Sequence, residues 1–254
     1  MLGLGNSITG GAALSEFLPS NLSNLGIWLR NDTSITSSGG PATVSQWGDS
    51  SGNGRHAVQD TSTEEALLVS GGLDLSSVDP EDFYVFTEDT NAHLDIGGSN
   101  AFTLSAVIRR EGTAGDDNAI IGGEGNSQYI AFKSETQVVI SANSPSLQST
   151  FNFGAGTFEI NKEFVITITK DTSGDFIFMK DGATISTTST SDPTNTGANV
   201  VKYLGNRHPG TSTGSMTFEG KIKELVVYSS QLTGGDLTNL NNYLTTKFAS
   251  TLGA

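Results

Sequence analysis

The chain has 254 residues, with 27 acidic against 13 basic side chains, a formal net charge of −14, 31 glycines and no cysteine. So acidic a surface repels phosphate backbones and argues against a nucleic-acid partner. The absence of cysteine excludes a disulfide framework, a thiolate metal site and a cysteine nucleophile together, and no apolar run reaches bilayer-spanning length, so no membrane partner is expected. A chain of this length buries a core without covalent staples. With only two tryptophans, that core has to be built from Phe, Val, Ile and Leu.

In chain order, residues 1–24 are rich in Gly and Ser, with Leu14, Phe17 and Leu18 as their later apolar group. They read as an N-terminal arm, either a loose terminus or a docking segment that orders on a partner. No basic residue precedes the apolar stretch at the start, and Gly, Asn, Ser and Thr interrupt it, so no secretory signal is expected. From Leu25 to the end, strand-like runs alternate with turn clusters, which predicts one all-β domain over 25–254. Leu25 to Arg30 is a first strand, ended by Asn31 and Asp32. Asp82 to Phe86 and Ala101 to Arg109 follow; in the latter Phe102, Leu104, Ala106 and Ile108 share one face with period two.

The second half is more regular. Glu163 to Thr169 and Asp175 to Met179 flank a short Asp/Ser/Gly turn, the pattern of a hairpin. Asp181-Gly182 is a second turn before a Thr- and Ser-rich returning strand, and Ser215 to Phe218 and Ile222 to Tyr228 supply the last strands. A single helix is predicted over Asp236 to Phe248. Leu237, Leu240, Leu244 and Phe248 form its buried stripe and Thr233 its N-cap.

Three stretches resemble one family. Leu25-Gly-Ile-Trp-Leu-Arg30 followed by Val44-Ser-Gln-Trp-Gly-Asp-Ser-Ser-Gly-Asn-Gly-Arg-His-Ala57 is similar to the opening of laminin G-like, concanavalin A-like domains. Phe164 to Gly182 resembles their hairpin, and Phe218 to Tyr228 with the helix to Leu244 resembles their closing signature. Gly234-Gly235 departs from the acidic residues usual before that helix. The resemblance implies a concanavalin A-like jelly-roll sandwich of two antiparallel sheets with a short C-terminal helix. In this reading the Ser51-Gly52-Asn53-Gly54 run supplies residues that accept positive φ, and Gly220 marks a bulge or a close backbone approach.

The same sandwich carries glucanases, which aim two carboxyls from one strand into a cleft through a Glu-x-Asp-x-x-Glu pattern. No Glu here has an Asp two positions later, and the adjacent pairs Glu64-Glu65, Glu81-Asp82 and Glu88-Asp89 would point to opposite faces of a strand. No catalytic residues are therefore expected. His56, His93 and His208 lack zinc-hydrolase spacing, and His56 reads as a structural hydrogen-bonding residue. Gly122-Gly123-Glu-Gly125 reads as a turn that lacks the Lys-Ser/Thr of a phosphate loop.

The resemblance also implies a calcium ion at the sandwich rim, for which Asp116, Asp117 and Asn126 are the candidate ligands. The reading set against it, and the one that loop residues of this kind more often have, is that they are turn residues capping their own backbone. Asn206, Arg207 and His208, after a strand ending at Leu204, combine a planar side chain with hydrogen-bond donors and form the candidate ligand-binding loop.

Related domains recur in bacterial surface proteins, animal matrix proteins and tailed-phage structural proteins, and the start Met1 to Thr9 is similar to that of structural proteins of marine tailed phages. The expected function is that of a non-catalytic virion protein, a capsid decoration or tail-associated component on the particle surface. It would join other virion proteins through the arm, as a homo-oligomer, and hold glycans on its sandwich. The alternative is a cell-surface lectin or adhesin module of a bacterium.

Overall fold

Period-two patterning along Phe102–Ile108 decides which faces are dry. Phe102, Leu104, Ala106 and Ile108 are fully buried in the main core, while Val107, between them, faces a second apolar cluster on the opposite side. A strand buried on both faces is the centre of a layered fold. The computed structural model describes residues 16–70, 72–75, 82–87, 95, 97–112, 118–123, 128–141, 148–189, 200–207 and 217–254.

Seventeen strands are found among these residues. They are β1 (Leu25–Leu29), β2 (Ile35–Ser38), β3 (Thr43–Trp47), β4 (Ala57–Val58), β5 (Leu67–Val69), β6 (Gly72–Asp74), β7 (Tyr84–Phe86), β8 (Phe102–Arg110) and β9 (Asn118–Gly123). The rest are β10 (Tyr129–Ser134), β11 (Gln137–Ser141), β12 (Gln148–Asn152), β13 (Glu163–Lys170), β14 (Asp175–Lys180), β15 (Ala183–Ser189), β16 (Val201–Leu204) and β17 (Gly220–Tyr228). Every pairing is antiparallel. One layer runs β1-β17-β8-β13-β14-β15, with β6 beside the start of β17. The other runs β2-β3-β4-β7-β16-β9-β10-β11-β12, and β5, paired with both β3 and β6, joins the layers at the rim. Phenylalanines fill the space between layers: Phe132 meets Phe158 edge-on at 5.0 Å and Phe151 lies 4.6 Å from Phe178. The expected jelly-roll sandwich is the observed fold.

The Trp-Gly-Asp…Gly-Arg-His stretch works as a knot of backbone bonds around Asp49. One carboxylate oxygen accepts from the backbone N–H groups of Trp28 and Ser51, both at 2.9 Å. The other accepts from the Ser51 hydroxyl at 2.7 Å and the Arg55 N–H at 3.1 Å. His56 Nδ1 in turn accepts from the Asp49 N–H at 2.9 Å, the structural role expected for it. Asn53 and Arg55 donate to the Leu25 and Gly26 carbonyls, which ties the loop to β1. Gly52 and Gly54 sit at φ +89° and +72°, as the tight return requires.

Several sequence expectations move. Gly122 and Gly123 close β9 and are not a turn; a Cβ on Gly122 would stand 2.3 Å from the Asn206 carbonyl oxygen and 2.2 Å from that of Arg207, so only glycine lets that chain cross. Gly220 is likewise a close approach, where a Cβ would meet the Arg109 oxygen at 2.1 Å. Of the strand expected at Ser215 to Phe218, the described part is a single bridge from Thr217 to Asn206.

The helix α1 spans Gly234–Lys247, two residues earlier than predicted, with Thr233 in the N-cap position but making no side-chain cap bond. Its stripe of Leu237, Leu240, Leu244 and, just beyond it, Phe248 packs on Trp28, Val107, Val165, Val226 and Tyr228, the outer face of the first layer. Asn241 fixes the helix from below, accepting from Thr167, whose hydroxyl also bonds Ser105.

Residues 16–24, which the sequence placed in the arm, join this same cluster. Phe17, Leu18 and Leu22 pack against it, Pro19–Asn21 forms a short 3-10 turn, and the Tyr228 hydroxyl donates to the Pro19 carbonyl at 2.8 Å. The reason is apolar: the helix leaves part of the outer face uncovered, and these side chains cover it. Leu14 lies outside the described residues.

Because Leu244 is fully buried between helix and sheet, Leu244→Ala is expected to cost about 2–5 kcal/mol in chemical denaturation. A loss below the range of surface substitutions would show that the helix does not cover the core.

Candidate site between the helix and the N-terminal segment

β17 carries the residue on which this site is built. Its register against β8 slips between Ile222 and Glu224, so that Lys223 is an extra residue and Glu224 faces outward under the helix. Glu224 is completely buried. Its carboxylate accepts from the Trp28 indole N–H at 2.9 Å, from the Tyr243 hydroxyl at 2.8 Å and from Lys247 Nζ at 2.6 Å. Strand β1, strand β17 and helix α1 therefore meet on one side chain. Burial first, and then the Glu224 carboxylate, push the Tyr243 phenol above its ordinary range, so it remains a donor.

Above this network opens a cavity of about 500 Å³, within the range of about 300–1,000 Å³ usual for small-ligand sites. Phe17 and Tyr243 give it an aromatic wall, their rings edge to face at 6.4 Å. Asn239 and Asn242, on exposed positions of the helix, give it amides. Arg30 and Asp32 form a two-point pair at 3.0 and 3.1 Å, with the guanidinium 4.8 Å above the Trp28 ring. Lys247 reaches from Glu224 toward Asp32, at 3.4 Å. Burial alone would raise the Asp32 carboxyl, but Arg30 and Lys247 outweigh it and hold its pKa below the usual carboxylate value. Chemically the cavity offers flat apolar faces, amide donors and acceptors, and a fixed ion pair.

Of the sequence-predicted site residues, Asn206 and Arg207 lie elsewhere. Asn206 is buried and its amide donates to the Thr217 hydroxyl at 3.4 Å, so it braces the β16 end of the chain and does not project from a rim loop. The Arg207 guanidinium stacks on Tyr129 at 4.9 Å, on the outer face of the second layer. His208 lies outside the described residues, as do Asp116, Asp117 and Asn126 of the candidate calcium site. Among the described residues no group of three or more His, Asp or Glu side chains is placed to hold a metal ion.

Several acidic side chains are engaged with other groups. Glu65 accepts from Thr43, and Glu163 pairs with Lys223 at 2.5 Å. Asp32 and Glu224 both meet Lys247, but Glu224 lies beneath the cavity and not on its wall. Glu81, Glu88 and Asp89 lie outside the described residues.

The profile of the concanavalin A-like lectin/glucanases superfamily matches residues 80–238. Among solved structures, botulinum neurotoxin type C, whose cell entry depends on interaction with two ganglioside molecules, matches with a TM-score of 0.60 at 19% identity, over 87% of this chain and 51% of that one. The binding domain of botulinum neurotoxin DC in complex with rat synaptotagmin II matches with a TM-score of 0.58 at 19% identity, over 87% and 52%. Trypanosoma rangeli sialidase in complex with sialic acid matches with a TM-score of 0.57 at 14% identity, over 89% and 33%. The chain thus spans between a third and about half of these solved chains. No curated protein matches it.

Glu224→Ala would leave the Lys247 ammonium, the Trp28 N–H and the Tyr243 hydroxyl without their shared acceptor. The expected cost in denaturant unfolding is about 3–5 kcal/mol. A variant as stable as the parent would show that the carboxylate does not organise this region.

Proposed function

Because the chain belongs to the concanavalin A-like lectin/glucanases superfamily, whose fold is that of lectin-like carbohydrate-binding domains, we propose that it is a non-catalytic glycan-binding module. The observation that carries this reading is the cavity beside α1. Aromatic faces pack against the C–H faces of a sugar ring, while amides and a fixed guanidinium–carboxylate pair bond its hydroxyls in directions set in advance. Lack of catalysis is supported by the cavity's own carboxyls: of Glu16 and Asp32, which line it, Asp32 is held by Arg30 and Lys247, and the sequence has no Glu followed two positions later by Asp.

A glycan array probed with the labelled protein should give binders, and Asn242→Ala, an exposed change on the cavity wall, should weaken them while leaving the melting temperature in place. Incubation of the same glycans should release no reducing ends. Release that disappears on removal of one carboxylate would overturn the non-catalytic reading.

We infer further that the module is displayed on a virus particle, with the stretch before Glu16 as its tether. The supports are the sequence similarity of Met1 to Thr9 to phage structural proteins, the apolar Leu14, and the acidic surface suited to dense display. Residues 16–24 already have a place on the sandwich, so deletion of residues 1–15 should leave the melting temperature unchanged and remove the protein from purified particles. Full occupancy by the deletion variant would contradict the tether.

A further inference from the structure

Resting on the glycan-binding reading, we propose that the cavity selects neutral sugars and excludes anionic ones, and that the N-terminal segment is one of its binding walls. The charges decide the first part. Recognition of a sugar carboxylate or sulfate needs a cation free to pair with it, best a guanidinium that offers two parallel N–H groups. Both cations of this cavity are already spent. Arg30 turns its fork onto Asp32 at 3.0 and 3.1 Å, and Lys247 sits between Glu224 at 2.6 Å and Asp32 at 3.4 Å. Glu16 adds a further carboxyl to the lining. Three carboxyl groups thus stand around two cations, in a molecule of net charge −14. An incoming anion would have to displace Asp32 and would still meet the like charge of Glu16, whereas hydroxyls share the ion pair without breaking it. Gangliosides and sialic acid, the ligands of proteins that share this fold, belong to the excluded class.

Geometry decides the second part. Phe17 and Leu18 come from the segment before β1, and Tyr243 and Asn242 from the helix more than two hundred residues later, yet they face one cavity. The segment is anchored independently of that cavity through the Pro19 carbonyl, which accepts from the Tyr228 hydroxyl, and its turn is closed by Asn21, whose side chain accepts from the Leu18 N–H at 2.6 Å. Phe17 is therefore presented to the cavity by a fixed turn, edge to face with the Tyr243 ring of the helix, which also supplies Asn239 and Asn242 to the lining. A sugar ring in the cavity lies between the segment and the helix.

The test uses the whole chain on an array that carries matched neutral, uronate-terminated, sialylated and sulfated glycans. Neutral glycans alone are expected to bind. Phe17→Ala should weaken them about tenfold. Asp32→Asn, which removes one carboxyl and releases the Arg30 fork, should bring uronate-terminated glycans up by about tenfold. Acidic glycans that bind the parent protein and are lost with Arg30→Ala would overturn the charge selection while leaving the glycan-binding reading intact. Neutral binding untouched by Phe17→Ala would overturn the N-terminal wall. Failure of every glycan to bind would overturn the glycan-binding reading itself, and with it both parts of the inference.

Discussion

One buried carboxylate ties the helix, the first strand and the last strand of this molecule together. Glu224 has no exposed surface, and a charge in such a place is costly unless its oxygens are filled. Here three donors from two distant parts of the chain fill them: Trp28 from β1, and Tyr243 and Lys247 from α1. The arrangement adds little net stability over a well-packed apolar substitute, but it has directions, which an apolar contact lacks. It sets the Tyr243 ring on edge toward Trp28 at 6.2 Å and toward Phe17 at 6.4 Å, and it brings the Lys247 ammonium to Asp32. The aromatic wall and the closed ion network of the cavity both follow from that one side chain, and the side chain faces outward because β17 carries a bulge at Lys223.

The two faces of the first layer therefore divide the work. The inner face is phenylalanine and aliphatic packing against the second layer, and it fixes the sandwich. The outer face is mixed, with apolar cover from α1 and from Phe17, Leu18 and Leu22, and with polar bonds through Asn241, Thr167 and Glu224 that fix where the cover lies. A cavity forms at the margin of this cover because the helix and the N-terminal turn approach without closing. Its amides come from exposed helix positions, which carry no packing duty and are free to bind.

Much of the fold was legible because its determinants are local. Asp49, Ser51, Asn53, Arg55 and His56 bond one another and β1 through a loop of a few residues, so their spacing in the sequence mirrors their geometry. The hairpin at Asp171 to Gly174 and the turn at Asp181-Gly182 are equally local: Asp171 accepts from Ser173 and Asp175, and Asp181 and Gly182 take φ +50° and +81°. Much of the second layer, β9 to β12, was not legible, and at the end of β9 Gly122-Gly123 mimics a turn. The cavity was hidden for the opposite reason: Phe17, Arg30 and Tyr243 meet only through tertiary packing. Two signals pointed to it, a Glu inside the apolar run Ile222 to Tyr228 and a Lys beside the buried stripe of the helix, a combination that implies a buried pair. Asn206, read from loop polarity as a rim residue, is buried, and its amide donates to the Thr217 hydroxyl.

The central claim is that a neutral sugar lies between Phe17 and the α1 helix, against Tyr243. Nuclear magnetic resonance titration of the labelled full chain with a neutral oligosaccharide tests it most directly, followed through the side-chain amides of Asn239 and Asn242 and the Arg30 guanidinium. The account predicts that these resonances shift together and saturate with one affinity, while the backbone amides of β9 to β11 stay in place. Saturable shifts confined to the face that carries Tyr129 and Arg207, with Asn239 and Asn242 unmoved, would place the sugar on the other layer and contradict it.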